Sequence, residues 1–173
     1  CSMNHAMIDI ETLGIGQQVP LFEIGACIFK PNKKEIVDSY QINVDLLDVI
    51  ISTGFTTQQG TIDWWRVQEY DPRCQPRVSL KDALLSLNHV LEEHGVTHVW
   101  GNSPSFDCVI LEAHYEAIGL KKPWSYSKEL DFRTVRWLYR DYVGLDLGEI
   151  PSVKHNARED AVQQTELLLR MLP

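Results

Sequence analysis

"HAMIDIETLG", residues 5–14, decides how the rest of this chain is read. Ala6, Met7, Ile8 and Ile10 form the short apolar run of a buried strand, and two acids, Asp9 and Glu11, interrupt it. Side chains alternate along a strand, so residues two apart share a face. A carboxylate pair on a buried face is costly unless a cation accompanies it. The remaining sequence must therefore supply a reason for the pair.

Beyond "GIGQQVP", a glycine-rich turn, "LFEIGACIFK" (21–30) and "EIVDSYQINV" (35–44) read as two more strands, giving an N-terminal meander. "TIDWWRVQEY" (61–70) reads as a short helix before the break "DPRCQPR". "SLKDALLSLNHVLEEHG" has apolar residues at 80, 83, 84, 87, 90 and 91, which predicts a helix with Ser79 as N-cap and Gly95 as its stop. "THVWG" (97–101) follows as a fourth strand, expected to run parallel to the first because a helical crossover returns the chain in the same direction. "SFDCVILEAHYEAIGL" and "DFRTVRWLYRDY" predict helices, the first ending near Gly119. After the loop "VGLDLGEIPSVKH", "NARED" fits a capping box, with Asn156 as N-cap and Glu159 three residues on, opening a last helix through "AVQQTELLLRML".

The chain has 173 residues, the size of one domain with a substantial core, so residues 1–173 are read as a single domain. Its formal charge of −8 has the wrong sign for coating duplex nucleic acid by phosphate neutralisation. A nucleic-acid partner must then be held locally, and some of the acids are candidates for metal ligands. No apolar run approaches bilayer length, so no membrane partner is expected. Cys1, Cys27, Cys74 and Cys108 show no zinc-type spacing and are read as reduced, and no secretory signal is visible, which together favour a cytoplasmic location. Met3 would be the natural start if Cys1 and Ser2 are a remnant of expression.

Three further sites answer the acid pair: Asp107 just after the fourth strand, and His155 with Asp160 at the start of the last helix. As "DIET" (9–12), "NSPSFD" (102–107) and "HNARED" (155–160), in that order and spacing, the chain resembles the DEDDh branch of the DnaQ-like, or RNase T-like, 3′-5′ exonucleases. Trp64 and Trp65 after the third strand and "DFRT" (131–134) make it similar to a phage and bacterial group within that branch. That group contains DexA-type exodeoxyribonucleases, prophage exonuclease VIII-like proteins and a mycobacterial exoribonuclease.

The resemblance implies an α/β fold of ribonuclease H-like type, a central mixed β-sheet flanked by helices. It also implies two divalent cations, Mg²⁺ or Mn²⁺, held by Asp9, Glu11, Asp107 and Asp160, with His155 as general base. The chemistry suits those residue types: hard cations about 3.5 to 4 Å apart stabilise both oxygens of a phosphodiester displacement, and carboxylates hold such ions where thiolates would not. A neutral imidazole accepts a proton near neutral pH. By the same resemblance Thr12 and Leu13 would meet the terminal nucleotide, and Phe106 would pack beside it or in the core.

Each motif has a structural reading as well. Alone, "DIE" is an exposed edge pattern, Asp107 a helix N-terminal acid, Asp160 a solvated helix residue and His155 a loop histidine. Only their joint order favours catalysis. His5, His89, His94, His98 and His114 have no acid at motif spacing and are read as structural. Trp64 and Trp65 divide between base stacking and core or dimer packing. Arg133 and Arg136 are either phosphate contacts or ordinary ion-pair partners, with the ion pair favoured for Arg136; Arg158 is either a phosphate contact or local charge balance, and Asn102 is read as shaping its segment. The expected activity is release of nucleoside 5′-monophosphates from 3′ ends of single-stranded nucleic acid, with DNA favoured over RNA. The alternatives are an exoribonuclease, a subunit acting on very short ends, and a non-catalytic binding module. A homodimer would suit the RNase T-like group.

Overall fold

A computed structural model of the chain describes residues 3–68, 76–148 and 155–173. Strands β1 (Asn4–Thr12), β2 (Leu21–Lys30) and β3 (Glu35–Asn43) form the antiparallel meander, with β2 central to it. On the other side of β1 lie β4 (Val96–Gly101) and β5 (Glu129–Asp131), both parallel, giving the order β3-β2-β1-β4-β5. Helices α1 (Leu46–Thr53), α2 (Gln59–Trp65), α3 (Leu80–Glu93), α4 (Pro104–Ala117), α5 (Phe132–Trp137) and α6 (Ala157–Met171) flank the sheet.

Alternation along β1 and β2 makes two cores. Ala6, Ile8, Ile10, Ile24, Ala26 and Ile28 face α3 and α4, meeting Leu84, Leu87, Ile110, Leu111 and Tyr115. Met7, Cys27 and Phe29 face the other way and pack with Trp100, Phe132 and the α6 residues Ala161, Leu168 and Met171. Each large apolar side chain fully buried in this way contributes about 1.5–3 kcal/mol. The odd-numbered face of β1 carries Asp9 and Glu11, so both acids look toward α6.

The predicted helix ends are present. The Ser79 hydroxyl accepts from the Asp82 amide at 3.1 Å, and Gly95 takes a left-handed φ of 59° after the last turn of α3. Asn156 Oδ1 accepts from the Glu159 amide at 3.0 Å, while the Glu159 carboxylate pairs with Arg158 at 3.4 Å.

Two differences from the sequence expectation matter. Helix α1, capped by Asp45 through the Leu47 and Asp48 amides, occupies a stretch for which no element was expected. The helix predicted over 131–142 begins at Phe132, because Glu129–Asp131 is a short strand that ends in the N-cap Asp131. Beyond Trp137 it widens into a π-helical turn, Leu138–Tyr142, closed by the Val143 amide donating to the Leu138 carbonyl at 3.0 Å. A three-residue strand is too short to show a period in sequence.

Cys27 and Cys108 are free and buried, and burial pushes the Cys27 thiol up to about 11 and Cys108 higher still. Cys1, Cys74, most of the break at 71–77 and residues 149–154 of the loop before His155 lie outside the described residues. Among the described residues no helix is long and apolar enough to cross a membrane.

Candidate active site

The site starts from the register of β1 against β2, where Asp9 faces Gly25 and Glu11 faces Glu23. Glu23 is fully buried, and its Oε1 accepts from the Ala157 amide at 2.6 Å, capping the first turn of α6. Gly25 lets the helix come this close: a Cβ there would stand 2.2 Å from the Ala157 carbonyl carbon. A glycine inside an apolar strand is a signal of such close backbone approach. These contacts press the start of α6 onto the sheet and carry His155 and Asp160 to the acid pair.

His155 precedes the cap with a left-handed φ of 64°, uncommon for a residue other than glycine. Its amide donates to Asp160 Oδ2 at 3.0 Å, and its ring meets the Trp64 ring edge-to-face at 4.5 Å between centroids. A carboxylate oxygen from each of Glu11 and Asp160 and a ring nitrogen of His155 all lie within 4.8 Å of one another.

Asp107 enters from the first turn of α4 and is 2% exposed. Its two oxygens accept from the Ile10 and Asn102 amides, each at 3.2 Å, tying the ends of β1 and β4 together. Burial raises this carboxyl to about 7, even though those amides and the nearby Arg133 guanidinium pull it down. Asp9 is held well above the usual carboxylate range by burial first, then by the charges of Asp107, Glu11 and Asp160, with a hydrogen bond to Gln164 opposing. Burial likewise raises Glu11, followed by Asp160, Glu23 and Asp107. Without a counter-charge the cluster repels itself at neutral pH.

The acids and His155 open into a cleft of about 570 Å³, lined also by Asn102, Phe106, Phe132, Arg133, Arg136, Gln163 and Gln164. Of the sequence-predicted site residues, Asp9, Glu11, Asp107, Asp160, His155 and Phe106 come together here. Thr12 and Leu13 lie outside that lining. Thr12 is buried, its hydroxyl donates to the Gly14 carbonyl and its own carbonyl accepts from Trp65 Nε1. The two tryptophans divide the work: Trp65 packs on Phe22 at 5.1 Å, while Trp64 is 41% exposed beside His155. Arg158 pairs with Glu159, and Arg133 donates to the Asn102 carbonyl at 3.1 Å.

Sequence reasoning missed Glu23, Gly25 and Gln164. An acid and a glycine inside the apolar strand "LFEIGACIFK" signalled the first two. Gln164 stands four residues after Asp160, the spacing that shares a helix face. Its Oε1 is buried without a hydrogen-bond partner among the described residues. The set fits a divalent cation: hard oxygens from four carboxylates, one imidazole, and mutual repulsion that positive charge relieves.

Residues 4–172 match the family described as the 3′-5′ exoribonuclease Rv2179c-like domain. The exodeoxyribonuclease of enterobacteria phage T4 is 26% identical over 121 residues, covering 61% of this chain and 52% of that protein. The chain thus spans about half the length of that relative. The nuclease domain of 3'hExo, a DEDDh family member solved bound to rAMP, superposes with a TM-score of 0.67 at 15% identity, over 99% of this chain and 92% of that one. The metal-free E. coli ExoI–ssDNA complex gives 0.67 at 14% identity, over 98% of this chain and 38% of that one. At such identities the likeness is one of fold, the ribonuclease H-like α/β architecture of the DEDDh exonucleases.

Proposed function

The chain belongs to the Rv2179c-like 3′-5′ exoribonuclease domain family, and on that premise we propose that it works as a single metal-dependent exonuclease domain. Its substrate is the 3′ end of a single-stranded nucleic acid and its product a nucleoside 5′-monophosphate. The observation that carries this reading is the convergence of Asp9, Glu11, Asp107, Asp160 and His155 on one cleft.

Asp9, Glu11, Asp107 and Asp160 are the residues that hold Mg²⁺ or Mn²⁺. Two such cations, when bound, stabilise charge on the phosphoryl and leaving oxygens and lower the pKa of an attacking water. His155 takes that water's proton on the ring nitrogen that lies within 4.8 Å of Glu11 and Asp160 oxygens. Trp64 restrains the imidazole from its side, and the Asp160 carboxylate fixes its backbone through the amide hydrogen bond. Glu23 and Gly25 act through α6, as positioning residues. Phe106 packs against the terminal nucleotide, with Thr12 and Leu13 supporting the strand end next to it.

The sugar divides the support. The T4 relative favours DNA, in line with the sequence expectation, and the family description, which covers nearly the whole chain, favours RNA. Buried free thiols at Cys27 and Cys108 suit a reducing intracellular compartment. A gel time course with 5′-labelled DNA and RNA of one sequence, in Mg²⁺, in Mn²⁺ and in chelator, tests the reading. A metal-dependent ladder shortening from the 3′ end is expected, and its faster arm names the sugar. A folded protein that cuts neither substrate with metal present would overturn the proposal.

A further inference from the structure

Helix α5 and the π-helical turn after it have an inner and an outer side. Phe132 is buried, and Val135 and Tyr139 pack partly buried against the α6-side core. Positions 133, 136 and 137 follow the i, i+3, i+4 spacing of the opposite face, and 140 comes after them in the π-helical turn, outside that spacing. They carry Arg133, Arg136, Trp137 and Arg140, three cations with an aromatic among them in a chain of net charge −8.

Their engagements differ in a telling way. Arg133 is tied to the Asn102 carbonyl, and Arg140 is held by Asp141 at 3.1 Å. Arg136 lines the cleft, half-buried, and has no hydrogen bond or ion pair among the described residues, so of its two expected readings the favoured ion pair is absent. A guanidinium on the wall of the cleft, with its donors unengaged among the described residues, can take a phosphate oxygen of a strand that leaves the cleft. Trp137, the next residue, is 51% exposed and Tyr142 73% exposed, with ring centroids 5.9 Å apart and planes tilted by 34°. In a regular α-helix residues five apart diverge. The π-helical turn swings Tyr142 round to Trp137, and such turns recur at functional sites.

From this continuity we infer that the outer face of α5 is the track for the single strand upstream of the reacting nucleotide. Arg136 takes a backbone phosphate at the exit of the cleft, and Trp137 with Tyr142 forms a platform for a base beyond it. Aromatic stacking tolerates any base, which suits an enzyme that consumes a strand of arbitrary sequence. The inference rests on the exonuclease reading of the cleft but concerns a different surface, so the two can fail separately.

The test uses 5′-fluorescein oligonucleotides of three, six and nine residues with the full chain, the Arg136→Ala variant and the Trp137→Ala variant. Dissociation constants are measured by anisotropy in Ca²⁺ across a salt series, and KM and kcat in Mg²⁺. The wild-type chain should bind the longer strands more tightly. Trp137→Ala should weaken nine-residue binding by about tenfold and three-residue binding far less. Arg136→Ala should reduce the slope of log K against log salt by about 0.7, the loss of one phosphate contact on a single strand. Variants that keep the wild-type length dependence and salt slope overturn the track, even if cleavage proceeds normally. Binding decides the track even if no substrate is cut, a result that would count only against the exonuclease reading. If Trp137→Ala instead dissociates a dimer in sedimentation and leaves strand binding intact, the face belongs to a second copy and the inference is wrong.

Discussion

The two faces of β1 carry opposite burdens. Ala6, Ile8 and Ile10 enter an apolar core closed by α3 and α4. Alternating with them on the other face, Asp9 and Glu11 meet Asp107, Asp160 and Glu23, and the raised pKa values of Asp9, Glu11 and Asp107 mark burial first and, for Asp9 and Glu11, repulsion by the neighbouring acids. One strand therefore serves as both the spine of the fold and the floor of the cleft. The apolar face must stabilise what the acidic face destabilises, as is common where a site is built for a charged ligand.

Exchanging the sign of that burden gives the largest effect. Asp9→Asn should take metal-dependent cleavage to background and at the same time raise the melting temperature of the metal-free protein. Full activity would show that Asp9 is not a ligand, and a melting temperature lowered by the change would show that it is not a source of repulsion.

The next largest effect comes from Gly25, where the two burdens meet through α6. Gly25→Ala forces a methyl group into the Ala157 backbone and should cost about 1–3 kcal/mol of stability. It should also lower kcat about a hundredfold by displacing His155 and Asp160, since misplacement on this scale is enough for such a loss. A variant that folds and turns over normally would mean that α6 shifts without consequence.

On the apolar face, Leu84→Ala should lose about 2–5 kcal/mol in denaturant unfolding with kcat of the folded fraction unaltered. A loss of kcat larger than the loss of folded protein would couple the faces more tightly than their separation implies.

The last effect is in pH. Asp107 is raised to about 7 and Asp9 and Glu11 are raised too, against unfolded values of about 4. The folded chain thus binds more protons than the unfolded one between those limits, so metal-free stability is greatest below about pH 4 from these groups and falls as pH rises through 7. Melting curves in chelator should show this decline, and both saturating Mg²⁺ and Asp9→Asn should flatten it. Parallel slopes in all three samples would refute the account.

Much of this was legible beforehand. Each strand of the meander, the parallel return of β4, the Ser79 and Asn156 caps and the set of acids followed from periods of two and 3.6 residues, from capping chemistry and from motif order. Those signals act within a few residues of one another. The short strand β5, helix α1 and the π-helical turn escaped because each is too brief or too dependent on its neighbours to leave a period. Arg136 looked like any surface arginine, since sequence does not reveal the absence of a partner.

The sequence by itself determined which residues are polar on an otherwise apolar strand, where helices begin, and that an acid pair needed company. The tertiary structure alone decided which groups meet. Ile10 donates to Asp107 across 97 residues and Ala157 to Glu23 across 134. No local pattern encodes such distances, because they depend on strand order and on how closely a helix can lie on a sheet. At Gly25 that closeness is set by the absence of one carbon atom.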